Sequence, residues 1–217
     1  MTILVTGGAG YIGSHTCVEL LQAGHEVAVV DKLCNSREEA LRRVERIAGR
    51  RLAFHHANVR EREALRRVFR AQPIDAVIHF AGLKAVGGSV AEPPRYYDNN
   101  VSGSIALLQV MAEFGVTRLA FSSSATVYGD PLSVPIAEDA PTGPANSYGR
   151  SKLMVENLLR DLAASTPNWR IALLRYFNPV GAHASGLIGE NHRSRGRILA
   201  RALSGSTEIS APCSNAS

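Results

Sequence analysis

Apolar and polar positions along the chain fall into two alternating rhythms. Short apolar runs, "TILVT" (2–6), "EVAVVD" (26–31), "LAFHH" (52–56), "DAVIHFAG" (75–82), "RLAFSSS" (118–124) and "WRIALLRYF" (169–177), are separated by longer stretches with apolar residues at helical spacing. That spacing predicts a helix ending near Gly24, charged helices over 36–48 and 61–71, a long helix over 100–114 and another from Tyr148 to about Ala164. Strands that read as near-continuous apolar runs are buried on both faces. Six of them alternating with helices predict an α/β fold, a doubly wound parallel sheet of Rossmann-like type.

Composition narrows the picture without redirecting it. The chain has 217 residues, 45% hydrophobic, enough for one packed domain. No apolar run approaches the ~20 residues of a membrane span, and "MTILVTGGAG" has no secretion-signal pattern. Cys17, Cys34 and Cys213 are odd in number and scattered, so neither a disulfide framework nor a metal site is expected. A reducing, cytoplasmic setting fits that usage. The net charge of +5 divides into +2 over residues 1–190 and +3 over 191–217. With no groove-reading motif beside it, this basicity does not indicate a nucleic-acid partner.

The first strand runs into "VTGGAGYIGSH", which spaces Gly7, Gly10 and Gly13 three apart and then opens a helix. The spacing is G-x-x-G-x-x-G rather than G-x-G-x-x-G, but the mechanics agree. Gly7 permits the tight turn, Gly10 lets the backbone approach a pyrophosphate, and Gly13 lets the helix pack close to the sheet. Asp31 ends the second strand, where an acid can bind adenosine ribose hydroxyls. A carboxylate there repels a 2′-phosphate and favours NAD over NADP, although Lys32 and Arg37 stand nearby.

"SYGRSK" (147–152) sets Tyr148 and Lys152 one helical turn apart. A phenol with an ordinary pKa of about 10 is too weakly acidic to serve as a base near neutrality. One cation ~6 Å away, at an effective dielectric of about 20, favours the phenolate by about 2.8 kcal/mol, or roughly two pKa units. A second cation brings the hydroxyl near neutral, and an oxidised nicotinamide ring is the natural candidate. Tyr148 could then take a proton from a substrate hydroxyl while hydride leaves its carbon. "FSSSATVYGD" places Ser122 to Ser124 at the carboxyl edge of the fifth strand. Ser124 can bond the reacting oxygen and relay its proton, whereas Ser123 reads as a strand-end serine that satisfies backbone.

Taken in order, "VTGGAGYIGSHTC", "DKLCNS", "IHFAGLKAVGGSV", "YYDNNVSG", "FSSSATVYGD", "YGRSKLMVE" and "ALLRYFNPVGAHASG" closely resemble the UDP-glucose 4-epimerase family, extended short-chain dehydrogenase/reductases, over residues 1–190. The resemblance implies that Gly7, Gly10, Tyr11, Ile12 and Gly13 hold the pyrophosphate of NAD. Asp31, Asn35 and Ser36 would hold the adenosine ribose, with Asn58 and Val59 by the adenine. Phe80, Ala81, Gly82 and Lys84 would line the cofactor, with Asn99 and Ser122 beyond them. Tyr148 would be the base, Lys152 its electrostatic partner and ribose anchor, and Ser124 the proton relay. Tyr176 would lie against the nicotinamide end, and Phe177 and Asn178 would touch the UDP-hexose. The implied reaction oxidises C4 of the sugar, turns the 4-ketosugar and returns hydride to its other face.

The same resemblance has limits. Related sugar-nucleotide dehydratases carry an Asp-Glu pair after the residue that Ser124 matches; Ala125 and Thr126 stand here and cannot supply those carboxyl groups. The family usually has Asp where this chain has Asn58, whose carbonyl can still accept a hydrogen bond. Family motifs stop after "GLIGE", where a smaller C-terminal domain would follow. Residues 191–217 are therefore expected to be an unrelated, poorly ordered basic tail, as after a frameshift. The expected product is a chain that binds NAD but turns over UDP-hexose weakly or not at all. The alternatives are a non-catalytic NAD-binding fragment or another NAD-dependent sugar-nucleotide epimerase or dehydratase. The family often pairs through two helices, which makes a homodimer possible, with 100–114 and 148–164 as candidates.

Overall fold

The computed structural model describes residues 1–190; the expected tail, 191–217, lies outside the described residues. Six strands, β1 (Thr2–Thr6), β2 (Glu26–Asp31), β3 (Ala53–His56), β4 (Ala76–His79), β5 (Arg118–Ser124) and β6 (Arg170–Tyr176), form one sheet in the order β3-β2-β1-β4-β5-β6. Every pairing is parallel, with Leu4 opposite Ala28 on one side and Val77 on the other.

Side chains of a strand alternate between faces, and the two halves of the core follow that alternation. Ile3, Val5, Val27 and Val29 pack with Cys17, Val18 and Leu21 of α1 (Tyr11–Gln22) and with Leu41 and Val44 of α2 (Glu39–Ala48). Leu4, Ala28, Val30 and Phe121 pack on the opposite face, where α3 (Arg62–Ala71) supplies Leu65 and Val68. There, too, α6 (Gly103–Glu113) supplies Leu107 and Met111, and α7 (Ser147–Ser165) supplies Val155 and Leu159. Between those elements run two short helices, α4 (Val86–Ala91) and α5 (Pro93–Tyr97).

Three local differences from the sequence pattern bear on the site. The fourth strand stops at His79 instead of reaching Gly82, so residues 80–82 leave the ladder as a loop. Helices α4 and α5 were not legible, because Gly87, Gly88 and the Pro93-Pro94 pair obscure the helical spacing; proline is nonetheless well tolerated in a first turn. The stretch expected to open the long helix forms a π-helical turn, Asp98–Ser102, before α6 begins. Such turns are rare and occur frequently at functional sites.

The sheet order reverses between β1 and β4. Connections on the two sides of that point leave in opposite directions, which opens a crevice at the carboxyl ends of the strands. The loops after Thr6, His79 and Ser124 all lie along that edge.

Candidate active site

The glycine loop is built as the spacing requires. Gly7 adopts φ +72°, and a side chain there would press within 2.7 Å of the Ala81 amide. The loops after β1 and β4 therefore touch. A Cβ on Gly13 would stand 2.4 Å from the Gly7 carbonyl, and one on Gly10 would stand 3.2 Å from the same oxygen. No side chain caps α1 at Gly10, so the first-turn amides of Tyr11, Ile12 and Gly13 remain available to an anion. Tyr11 instead points its hydroxyl at the Gly181 carbonyl, 2.8 Å away.

Asp31 is buried and acts as a loop organiser. Its carboxylate accepts from the Ala9 amide at 3.1 Å, the Leu33 amide at 2.8 Å and the Ser36 hydroxyl at 3.0 Å. This fixes the loop after β2 against the glycine loop, with Asn35 exposed at its tip. Lys32 reaches across to the Asn99 side-chain oxygen, and Asn99 donates to the Asn100 oxygen at 3.0 Å. Asn58 uses its side-chain oxygen to cap the Arg60 amide at 3.2 Å, and Val59 is buried under Gly103.

Tyr148 stands in the first turn of α7, whose start is fixed by the Asn146 side chain accepting from the Gly149 amide at 2.9 Å. One turn on, Lys152 is only 5% exposed. Its ammonium lies 6.0 Å from the Tyr148 ring centroid, 4.8 Å from the Phe121 ring and 2.6 Å from the Ser122 carbonyl to which it donates. Burial pulls its pKa down to about 8, opposed by the nearby carboxylate of Glu156. Lys152 therefore stays charged at neutral pH. The helical spacing thus sets the ammonium near the Tyr148 ring, and Ser122 meets it through its backbone carbonyl.

Ser124 ends β5 and caps the short turn 125–128. Its hydroxyl oxygen accepts from the Thr126 amide at 3.2 Å and the Thr126 hydroxyl at 2.9 Å. Both bonds bring hydrogens to the oxygen, so its own proton is left to donate elsewhere. Gly82 faces the same ammonium: a Cβ there would stand 3.5 Å from Lys152 Nζ. Phe80 and Tyr176 set their rings 6.4 Å apart, and burial raises the Tyr176 pKa. Lys84 pairs with Glu190 at 3.3 Å. Phe177 and Asn178 are exposed beyond the end of β6.

Sequence reasoning missed the groups that hold this arrangement. Asn100 accepts from the Leu83 amide at 2.8 Å and donates to the Leu83 carbonyl at 3.0 Å and to the Ser151 hydroxyl at 3.1 Å. Ser151 in turn donates to the Tyr148 carbonyl at 2.7 Å. The loop after β4 is thereby clamped to the turn that carries Tyr148. Beneath it, buried His79 contacts the Thr6 hydroxyl at 2.6 Å and the Ser104 hydroxyl at 3.0 Å. Ser104 spends its only proton on the Asn100 carbonyl, so Nε2 of His79 must be the protonated nitrogen. Burial, with repulsion from Lys152, lowers its pKa to about 3.

A glycine loop at a helix N-terminus, an acid closing the second strand and a half-buried Tyr148 beside the buried Lys152 meet along one sheet edge. The model of the NAD dependent epimerase/dehydratase family matches residues 3–210. The chain belongs to that family. Among the proteins of the NAD dependent epimerase/dehydratase family it resembles, the UDP-glucose 4-epimerase of Bacillus subtilis (strain 168) is 59% identical over 191 residues, covering 88% of this chain and 56% of that one. The UDP-glucose 4-epimerase of Neisseria meningitidis serogroup B is 59% identical over 189 residues, again covering 56% of that protein. The chain thus spans about half the length of the curated relatives it matches. Solved structures of the family agree. UDP-glucose 4-epimerase from Bifidobacterium longum, in complex with NAD+ and UDP, is 54% identical with a TM-score of 0.87, covering 88% of this chain and 57% of that one. The enzyme from Stenotrophomonas maltophila, with bound NAD and formylated UDP-arabinopyranose, is 53% identical with a TM-score of 0.89, covering 94% and 62%.

Proposed function

We propose that this chain binds NAD and serves 4-epimerisation, interconverting UDP-glucose and UDP-galactose. The observation that carries the reading is the Lys152 ammonium, buried, still charged at neutral pH and 6.0 Å from the Tyr148 ring, at the edge where the glycine loop opens.

The residues present fit the dinucleotide. The uncapped first turn of α1 suits a pyrophosphate, and side chains at Gly7 or Gly13 would close the approach. The carboxylate of Asp31 suits a ribose without a 2′-phosphate. When bound, NAD supplies a hydride acceptor that can return the hydride to either face of the sugar carbon.

The chain's own groups manage the proton. Lys152 favours the phenolate of Tyr148, which takes the proton of the sugar hydroxyl and later gives it back. Ser124, with its oxygen held by Thr126, donates to the reacting oxygen. Phe80 and Tyr176 exclude water beside it. Phe177 and Asn178, exposed past β6, are assigned to the sugar nucleotide. A homodimer through α6 and α7 belongs to the same reading and rests on the family resemblance alone.

The test is a turnover assay on folded, NAD-saturated protein with UDP-galactose, run beside UDP-N-acetylhexosamines and dTDP-sugars. Conversion to UDP-glucose supports the reading. NAD binding without turnover leaves the dinucleotide half standing and removes the epimerase half, and a different product reassigns the substrate.

A further inference from the structure

The carboxylate of Glu156 is fully buried, on α7, one turn beyond Lys152 and two beyond Tyr148. Burial alone would push its pKa up. Hydrogen bonds from Arg175, Ser123 and Arg160 outweigh that and hold the carboxyl below the ordinary glutamate range. Arg175 of β6 donates to both oxygens, at 3.0 and 2.8 Å, and Arg160 donates at 2.9 Å. Ser123 of β5 donates its hydroxyl to Oε1. Arg175 also stacks 4.6 Å from the Tyr128 ring and donates to the Glu138 carbonyl at 3.2 Å, which ties in the loop preceding α7. One carboxylate therefore joins two strands, a helix and a loop.

Its strand partner is the informative one. Ser123 lies between Ser122, whose carbonyl holds the Lys152 ammonium, and Ser124, whose hydroxyl oxygen is held by Thr126 and is assigned above to the reacting oxygen. In a strand, residues 122 and 124 turn one way and 123 the other. A pin on Ser123 thus sets the height and tilt of both neighbours without entering the crevice. The same α7 backbone carries the pin and the ammonium, so Glu156 references both to one rigid element.

We infer that Glu156 is a positioning residue: with Arg175 it pins Ser123, and thereby holds the Ser122 carbonyl under Lys152 and Ser124 beside Tyr148. This rests on the proposed roles of Lys152 and Tyr148 and adds a determinant to them. A carboxylate is suited to the task because it accepts four hydrogen bonds from three side chains at once, whereas an amide would turn a donor towards a guanidinium.

The experiment follows the ionisation of Tyr148 in NAD-saturated protein, read as the near-ultraviolet phenolate band after subtracting the Tyr148→Phe variant. Four variants are compared with wild type: Ser123→Ala, Glu156→Gln, Glu156→Gln with Arg175→Gln, and Lys152→Met. Ser123→Ala removes the pin alone and leaves the ion pairs, so it stays informative should Glu156→Gln not fold. Positioning requires the Tyr148 midpoint to rise in the first three, by about one pH unit, half the effect of one whole cation. A purely electrostatic role gives a lowered midpoint in Glu156→Gln, restored in the double variant, and overturns the inference. Unchanged midpoints with lowered thermal stability mean a structural role only, and also overturn it. A wild-type midpoint that is ordinary for tyrosine, and unmoved in Lys152→Met, overturns the reading of the pair and the inference with it.

Discussion

Lys152 donates its ammonium to the backbone carbonyl of Ser122 at 2.6 Å, while the Phe121 ring lies 4.8 Å from the same nitrogen. A carbonyl dipole and a π-face replace the water that a surface lysine would keep. The position is therefore fixed before any ligand arrives, which is what a group meant to stabilise a phenolate needs.

Replacing that cation should be felt first at Tyr148. In Lys152→Met the phenolate loses about two pKa units of support by the Coulomb estimate at ~6 Å. The Tyr148 midpoint in NAD-saturated protein should rise by about two pH units, which the near-ultraviolet phenolate band checks.

The same burial leaves a signature in stability. The pKa of Lys152 falls to about 8 from an ordinary 10.5. Between those values the unfolded chain binds the proton more than the folded one does, so this contribution rises with pH across the window. Below pH 8 it is an unrelieved cost of about 3 kcal/mol. Lys152→Met should be more stable than wild type at pH 7, with the gap closing towards pH 10.5, as read by denaturant unfolding.

His79 works on the acid side. Its pKa is held to about 3, so the folded chain refuses a proton that the unfolded chain accepts below about 6.5. Its contribution is fully present above pH 6.5 and is lost as pH falls towards 3, to a limit of about 5 kcal/mol. His79→Gln should unfold with a flatter acid limb in a pH series of urea titrations.

Two glycines should separate binding from folding. Gly13→Ala sets a Cβ 2.4 Å from the Gly7 carbonyl and should abolish NAD binding while costing about 1–3 kcal/mol of stability. Gly24→Ala meets nothing within 4 Å but must adopt φ +86°. It should cost about 1 kcal/mol and leave the NAD dissociation constant unchanged by calorimetric titration.

How far the sequence foretold this arrangement depended on the range of the interactions. The strands were legible because burial on both faces leaves an apolar run in the chain itself, and β1, β2 and β5 have the expected bounds. Tyr148 and Lys152 were legible because helical spacing alone puts them on one face. Glu156 continues that face at the next turn and could have been read as part of it. Its partners Ser123 and Arg175 could not, since they meet it only after β5 and β6 pair in register. Asn100 was hidden for a like reason: its partners Leu83 and Ser151 lie 17 and 51 residues away. The roles of Phe177 and Asn178 rest on the family resemblance, since both side chains are exposed.

The crevice between the glycine loop and the Tyr-Lys pair is proposed as an NAD site. The most direct measurement is mass spectrometry of the nucleotide released on acid denaturation of folded, NAD-incubated and desalted protein, with Gly13→Ala alongside. Close to one NAD per wild-type chain, and none in Gly13→Ala, is the expected result. A folded wild-type chain that releases no dinucleotide, or a Gly13→Ala chain that carries as much, would contradict it.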